Sequence, residues 1–254
     1  MSYPESTVSM IAPLMMRTDL PKEIILDHWQ NGHADKVSKL PNLVEYNQLV
    51  FSPDDHGFWP TSGLVGGDIP PDWQLDGAAE LRFGSAMAMV SNGFLHGGEI
   101  FRDEQNIFHR VIGQVTIPWG GRWWTDGLDT SFDARVAVLF RRRKGTGLSG
   151  FRHFLYNSLG PVLNAAGARD LRAYAHFPYT GLENRSLGVN HGNPVQFAYH
   201  GSVFFGAENR DAVTESLASP EVTAVIGGQE RYFTAVHAYA VEQTVSVVRG
   251  GVRQ

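Results

Sequence analysis

The sequence predicts an α+β fold: two tandem ferredoxin-like β-α-β-β-α-β halves that pack sheet to sheet as an internal barrel. Three observations predict it. The chain has 254 residues, 43% hydrophobic and 19% charged, enough to bury a sizeable core in one large or two small domains. Strand-like and helix-like apolar periodicities follow one another in the same order twice, offset by about half the chain. A stretch from Trp119 to Asp133, with Gly120-Gly121, Asp126-Gly127 and Asp129, has linker chemistry and separates the two series. The expected organisation is 1–118, a linker 119–133, and 134–254.

In the first half, Val8 to Arg17 reads as a strand, and Asp19-Leu20-Pro21 starts a helix with proline near its first turn. Ile25, Trp29, His33, Val37 and Leu40 recur at roughly helical spacing and form its inner stripe. Leu43 to Phe51 is the second strand. A loop rich in Gly, Pro and Asp, Ser52 to Asp76, is long enough for a lid or binding loop. Ala78 to Phe83 is the third strand, Ser85 to Phe94 and Glu99 to Phe108 are helical, and His109 to Ile117 closes the half. In the second half the strands are Arg135 to Arg142, Leu171 to Phe177, an aromatic-rich Val195 to Phe205 and a closing Val236 to Val248. Its helices are Leu148 to Ala165 and most of Arg210 to Phe233. Each such half leaves one sheet face bare. Burying the two faces against each other is favourable by roughly 25 cal/mol per Å² of apolar surface.

Composition removes several function classes. With no cysteine, disulfides, thiolate nucleophiles and cysteine-ligated metals are excluded. A net charge of -5 and a pI near 6.0 argue against a nucleic-acid partner. Met1 to Thr7 is polar, and no run reaches the roughly 18 apolar residues that span a bilayer, so a cytoplasmic protein without a membrane partner is expected. Gly145-Thr146-Gly147-Leu148-Ser149-Gly150 has the form of a dinucleotide fingerprint, with Asp170 beyond it. Asp170 comes before the next strand rather than at its end, however, and Arg141-Arg142-Arg143-Lys144 replaces an apolar strand exit. The stretch therefore reads as a glycine-rich turn with a basic surface run, and no cofactor is expected. Asn184-Arg185-Ser186 fits a glycosylation acceptor that only a secreted protein would use.

An imidazole on an inner helical stripe is either a satisfied core histidine or a proton-transfer group in a small apolar chamber. His33 is that residue, and Tyr46, thirteen residues on, lies on the adjoining strand. Together they have the groups for acid–base work: an imidazole that exchanges protons near neutrality and a phenol that donates to a developing oxyanion. His28 lies about 140° around the helix from His33, at the rim, as a third candidate. The two histidines lack the i, i+4 spacing and the glutamate of a zinc helix, so no metal is expected. Asp35 either orients His33 or is solvated. In the long loop, His56, Phe58, Trp59 and Trp73 either cap a ligand pocket or plug the barrel. Met15, Met16, Met87 and Met89 read as adaptable core fillers. His176, His200 and His237, with Tyr174, Tyr199 and Tyr239, either form interior polar networks or lie at strand edges, the commoner outcome.

His28-Trp29-Gln30-Asn31-Gly32-His33, then Leu40-Pro41-Asn42-Leu43 with Tyr46 and Asn47, then Asp76-Gly77-Ala78-Ala79-Glu80-Leu81-Arg82-Phe83, and finally Asp103-Glu104 arrive in order over residues 8–118. This series resembles the EthD-like family of the dimeric α+β barrel superfamily. In the second half Asn157-Ser158-Leu159-Gly160-Pro161-Val162 and Leu171-Arg172-Ala173-Tyr174 echo the architecture, with Ser158 roughly where His33 would be. The second half is thus expected to be a degenerate repeat. The resemblance implies a cofactor-independent acid–base enzyme of decarboxylase, cyclase or dehydratase type acting on a small aromatic or polyketide-like carbonyl compound. A cofactor-free monooxygenase and a non-catalytic small-molecule binding protein are the alternatives. The expected catalytic set is His33, Tyr46 and His28; the expected substrate contacts are Trp29, Asn47, His56, Trp59 and Phe83. Exposed sheet edges leave a homodimer open.

Overall fold

The computed structural model describes residues 3–61, 63–124, 132–177 and 186–254. Asp126, Gly127 and Asp129 of the expected linker, and Asn184 and Arg185 of the acceptor motif, lie outside them. Among the described residues the order is β1 (Tyr3–Pro4), β2 (Val8–Met16), α1 (Lys22–His28), α2 (Ala34–Ser38), β3 (Leu43–His56), β4 (Gly77–Phe83), α3 (Ala86–Ser91), α4 (Gly97–Glu104), β5 (Phe108–Val111), β6 (Gln114–Val115) and β7 (Gly121–Trp123). There follow β8 (Ala134–Arg142), α5 (Leu148–His153), α6 (Gly160–Ala165), β9 (Arg169–Ala175), β10 (Gly201–Ala207), α7 (Arg210–Ala218), α8 (Pro220–Ile226), β11 (Phe233–Arg249) and β12 (Val252–Arg253). π-helical turns at Trp29–His33, Asn92–His96 and Phe154–Leu159 carry α1 into α2, α3 into α4 and α5 into α6.

The strands form one large sheet with antiparallel ladders, in the order β1-β7-β9-β10-β8-β11-β3-β4-β2-β5, with β6 on β2 and β12 on β11. The blocks β3-β4-β2-β5 and β9-β10-β8-β11 have the same internal order. They join where β11 pairs with β3, from Tyr239 opposite His56 to Arg249 opposite Glu45. That junction explains the length of β11: its first part pairs with β8 and its second with β3, so it outruns the strand expected from periodicity. The closing strand of the first block is interrupted instead. Pro13 in β2 turns its carbonyl to Ile112 N (3.0 Å) and has no N–H to offer on that side, and the ladder breaks there into β5 and β6.

Three further expectations are corrected. Val195–Phe197 is a 3₁₀ turn closed by Phe197 N to Pro194 O (2.9 Å), so the strand begins only at Gly201 and runs to Ala207. The stretch read as linker contains β7, which pairs with β9 and β1. The basic run after β8 is tied inward: Arg143 donates to the carbonyls of Glu230 and Phe233, and Arg142 Nη1 to Thr146 O, around a turn where Gly145 has φ 93°.

Side-chain alternation sorts the core into three layers. One lies between the first block's helices and its sheet, from Trp29, Val37, Tyr46, Leu81 and Phe83. Another fills the matching space in the second block, with Phe151, Leu155, Leu159 and Phe233. The third lies between the blocks and draws on both, including Ile11, Leu49, Phe51, Leu139, Tyr174 and Phe204. This middle layer also holds ions. The fully buried Arg172 reaches Asp170, Glu45 and Glu80, Arg135 pairs with Asp170 at 2.6 Å, and Tyr174 donates to Glu80 at 2.8 Å. Glu5 is buried beside β7, accepting from Ser9 and Thr7, and burial pushes its carboxyl up to about 7. A carboxyl raised in the fold favours the folded state below its unfolded pKa, and that advantage is lost as pH rises through the folded value. Wild-type stability is therefore expected to fall by on the order of 2–3 kcal/mol between pH 4.5 and 7 through Glu5. Glu5→Gln should flatten that share of the slope in urea melts at pH 5 and pH 8.

Candidate active site

A cavity of about 440 Å³ opens within the first layer, between the helices and the sheet of the first block. Its floor is the outward face of the sheet: Ala12 and Leu14 of β2, Tyr46 of β3, and Ala79, Leu81 and Phe83 of β4. Trp29, His33 and Val37 form one wall; Asn92, Phe94, Ile100, Phe101 and Glu104 form the other. Phe94 is 77% exposed and so stands at the mouth. The lining is overwhelmingly apolar, with a few polar groups that converge, as in a small-molecule site.

His33 is buried at the end of its π-helical turn, with its ring edge-on to Phe108 at 5.8 Å. Such turns insert a residue into a helix and re-aim the side chains around it. Gly32 helps: a Cβ there would come within 3.0 Å of the His28 ring, so glycine leaves room for that ring to fold along the helix. Both imidazoles then meet one carboxylate, Asp103 at the end of α4. His33 Nδ1–H donates to Asp103 Oδ2 at 2.9 Å and His28 Nε2–H to Oδ1 at 3.0 Å, while the Lys36 ammonium lies 3.1 Å from Oδ1. A carboxylate only accepts, so these contacts fix both tautomers. His33 Nε2 is left unprotonated, and no hydrogen bond among the described residues occupies it.

Burial alone would raise the Asp103 carboxyl, but the hydrogen bonds from His33, His28 and Lys36 outweigh it and hold the group below the ordinary carboxylate range. Burial lowers the His33 pKa, and the bond to Asp103 only partly restores it, so the imidazole is neutral at pH 7. The Tyr46 phenol is pushed up by burial; it accepts from Gln48 Nε2 at 2.7 Å, which leaves its own proton for another acceptor. Glu104 is also buried. Ser186, from the chain preceding β10, donates to its Oε2; burial, with a smaller contribution from the Asp103 charge, pushes its carboxyl up to about 7.

Of the expected site residues, His33, Tyr46, Trp29 and Phe83 line this cavity. The others are corrected by their positions. His28 is half-buried on the outer side of Asp103 and does not line the cavity. Asn47 follows Tyr46 on a strand, so alternation turns it to the opposite face, where it donates to Glu80 at 3.0 Å. Trp59 is buried in the second block's core and donates to Gln229 Oε1 at 3.0 Å. His56 sits at the end of β3 near the Tyr239 ring. Both follow from the path of the long loop, which Gly66 straps onto β11 through bonds with Thr234 and Val236. Asp35 pairs with Lys39 and Arg253 instead of orienting His33. Met89 lines the cavity, whereas Met87 is 75% exposed.

Asp103 and Glu104 were visible in the sequence only as part of a motif. A further signal lay in their spacing: Ile100, Asp103 and Glu104 follow the i, i+3, i+4 pattern of a buried helical face, and two acids on such a face call for partners. In the second block the equivalent layer is filled, with Leu159 at the end of its π-helical turn and Trp124 lying over Gly160. Of the three histidines on or next to its strands, His176 and His237 are buried, against the commoner expectation of exposed edges, and His200 is half-buried. His176 faces Ser202 at 3.1 Å and His237 faces Tyr199 at 2.6 Å. Among the described residues no group of three or more His, Asp or Glu side chains is arranged to hold a metal ion. No helix among them is long and apolar enough to cross a membrane.

No protein-family model matches the sequence, and no curated protein matches it. Solved structures do match over nearly the whole chain. A provisionally assigned monooxygenase of Fusobacterium nucleatum subsp. nucleatum superposes with a TM-score of 0.57 at 8% identity, covering 98% of both chains. An anthrone oxidase-like protein gives 0.58 at 9%, covering 97% of this chain and 96% of its own. A provisionally assigned monooxygenase of Lactobacillus acidophilus gives 0.56 at 8%, covering 98% and 100%. At these identities the likeness is one of architecture alone: the chain has a mixed α+β fold on a large antiparallel sheet.

Proposed function

We propose that this protein is a cofactor-independent acid–base enzyme that ionises a small aromatic or polyketide-like carbonyl compound in the first-block cavity. In this reading the two blocks are tandem ferredoxin-like halves, the first resembling the EthD-like family and carrying the chemistry, the second completing the barrel. One observation carries the reading: a buried, neutral imidazole whose Nδ1–H is committed to Asp103 and whose Nε2 is left to an apolar cavity. That is the arrangement of a general base. His33 Nε2 would take a proton from carbon or oxygen next to an activated carbonyl, and Tyr46 O–H would donate to the oxyanion that forms. Decarboxylation, cyclisation and dehydration all begin from or pass through such an ion.

A second reading shares that first step. The same anion, exposed to dioxygen, would make the protein a cofactor-free monooxygenase, and the monooxygenase and anthrone oxidase-like fold neighbours favour it. Anthrone in D₂O tests both readings. Catalysed exchange at its acidic carbon, followed by NMR under argon, is the expected result; oxygen uptake on admitting air would select the second reading. Exchange no faster than in buffer, with the ligand bound and returned unchanged, would make this a binding protein.

A further inference from the structure

Glu104 has no assigned task in that reading, yet it stands in the cavity wall with only one of its oxygens engaged. Ser186, contributed by the second block, donates to Oε2. No hydrogen bond among the described residues ties Oε1. Among the described residues no lysine or arginine lines the cavity, and the Lys36 ammonium is turned to Asp103 and to the carbonyl of Gly32. A substrate carboxylate placed here would lose its hydration with no opposite charge to replace it, and it would face Glu104 besides. A neutral carbonyl compound meets no such penalty.

We propose that Glu104 is a further catalytic residue: a neutral carboxylic acid, fixed by Ser186, that donates a hydrogen bond to the carbonyl or phenol oxygen of the substrate and confines the site to uncharged compounds. The inference rests on the acid–base reading above and narrows it, from carboxylated substrates toward neutral ones. His33 Nε2 takes the proton from the carbon beside the carbonyl, the C–H electron pair becomes the enolate C=C, and the charge gathers on the oxygen that Glu104 O–H faces; no oxidant or reductant enters. The second block would thereby take part in the first block's chemistry through one hydroxyl.

The groups facing Glu104 allow a pH test. Asp103 is held ionised, Tyr46 is pushed above its ordinary value and His33 below its own, which leaves Glu104, at about 7, as the group that titrates between pH 6.5 and 8.5 among the described residues lining the cavity. The probes are 2-acetylnaphthalene and 2-naphthoate, alike in ring but differing in charge, with affinities read by calorimetry. At pH 8 the ketone should bind about thirty-fold or more tightly than the naphthoate. Ketone affinity should fall about three- to tenfold from pH 6.5 to 8.5 as Glu104 loses its proton. Glu104→Gln, which keeps a neutral donor, should hold that affinity flat and bind naphthoate several-fold better at pH 8 than the wild type does. Equal affinity for the two probes, or a flat wild-type profile, overturns the proposal without recourse to any variant. Because binding is read and not turnover, such a failure would leave the base assignment of His33 standing. Failure of the exchange experiment would leave the selectivity measurable.

Discussion

Asp103→Asn is expected to lower turnover by about a hundred-fold or more, nearly as much as His33→Gln, although the side chain at position 103 sits behind the imidazole and touches no substrate. The reason is tautomeric. Asp103 accepts from His33 Nδ1–H and so keeps the Nε2 lone pair turned to the cavity. An asparagine can present its amide N–H₂ to Nδ1 instead, which would move the imidazole proton to Nε2 and remove the base from the site. His33→Gln deletes the base outright while retaining polarity and approximate volume. The two variants separate in their pH dependence. In the wild type the acid limb of kcat/KM should lie below pH 6.5, because burial lowers the His33 pKa more than Asp103 restores it. The residual activity of His33→Gln should lack that limb. Asp103→Asn also strands His28 and Lys36, so it should lose roughly 1–3 kcal/mol of stability, and rates belong at temperatures well below its transition. Turnover within threefold of wild type in either variant, with the ring position unchanged, would remove His33 from the chemistry.

The parts of this site that could be read from sequence were those set by local periodicity. Ile25, Trp29, His33 and Val37 recur at helical spacing and all four are buried, and the alternation of Ala79, Leu81 and Phe83 gives the cavity its floor. What stayed hidden depends on contacts between distant segments. Asp103 lies 70 residues from His33, and its partner choice follows from the end of α4 meeting the π-helical turn, which no 3.6-residue pattern reveals. Ser186 lies 82 residues from Glu104 and comes from the other block. The choice between the two readings of the aromatic loop is hidden for the same reason. Its composition announces burial, but only the bonds of Gly66 to β11 decide that Trp59 is buried in the second block rather than over the cavity. Asn47 could have been placed from sequence, since it alternates with Tyr46 on one strand and cannot share its face.

Arg172→Met is expected to give the largest loss of stability of any single change in the middle layer, about 3–5 kcal/mol, with the melting temperature falling by roughly 10 °C. Arg172 is fully buried and joins the blocks: it extends from β9 to Asp170 in its own block and to Glu45 and Glu80 across the interface, with its guanidinium 4.4 Å from the Trp123 ring centre. Methionine fills similar volume but takes from Glu80 its main buried counter-charge, while Asp170 keeps Arg135 and Glu45 keeps Arg82. The pH dependence gives the test its sign. Burial alone would raise the Glu80 carboxyl, but Arg172 and Arg135 outweigh it and hold the group below its ordinary value. Its contribution is therefore complete above the unfolded carboxylate pKa and lost as pH falls through the folded one. In the variant Glu80 should protonate at higher pH, so the difference from wild type should be greatest near pH 7 and shrink toward pH 5 in urea titrations. Adding Glu80→Gln to Arg172→Met should restore a substantial part of the loss, because the cost lies in a stranded charge more than in a missing attraction. A loss under about 1 kcal/mol at pH 7, or one independent of pH, would show that apolar contacts such as Phe51, Leu139 and Phe204 hold the two blocks together without help from the ions.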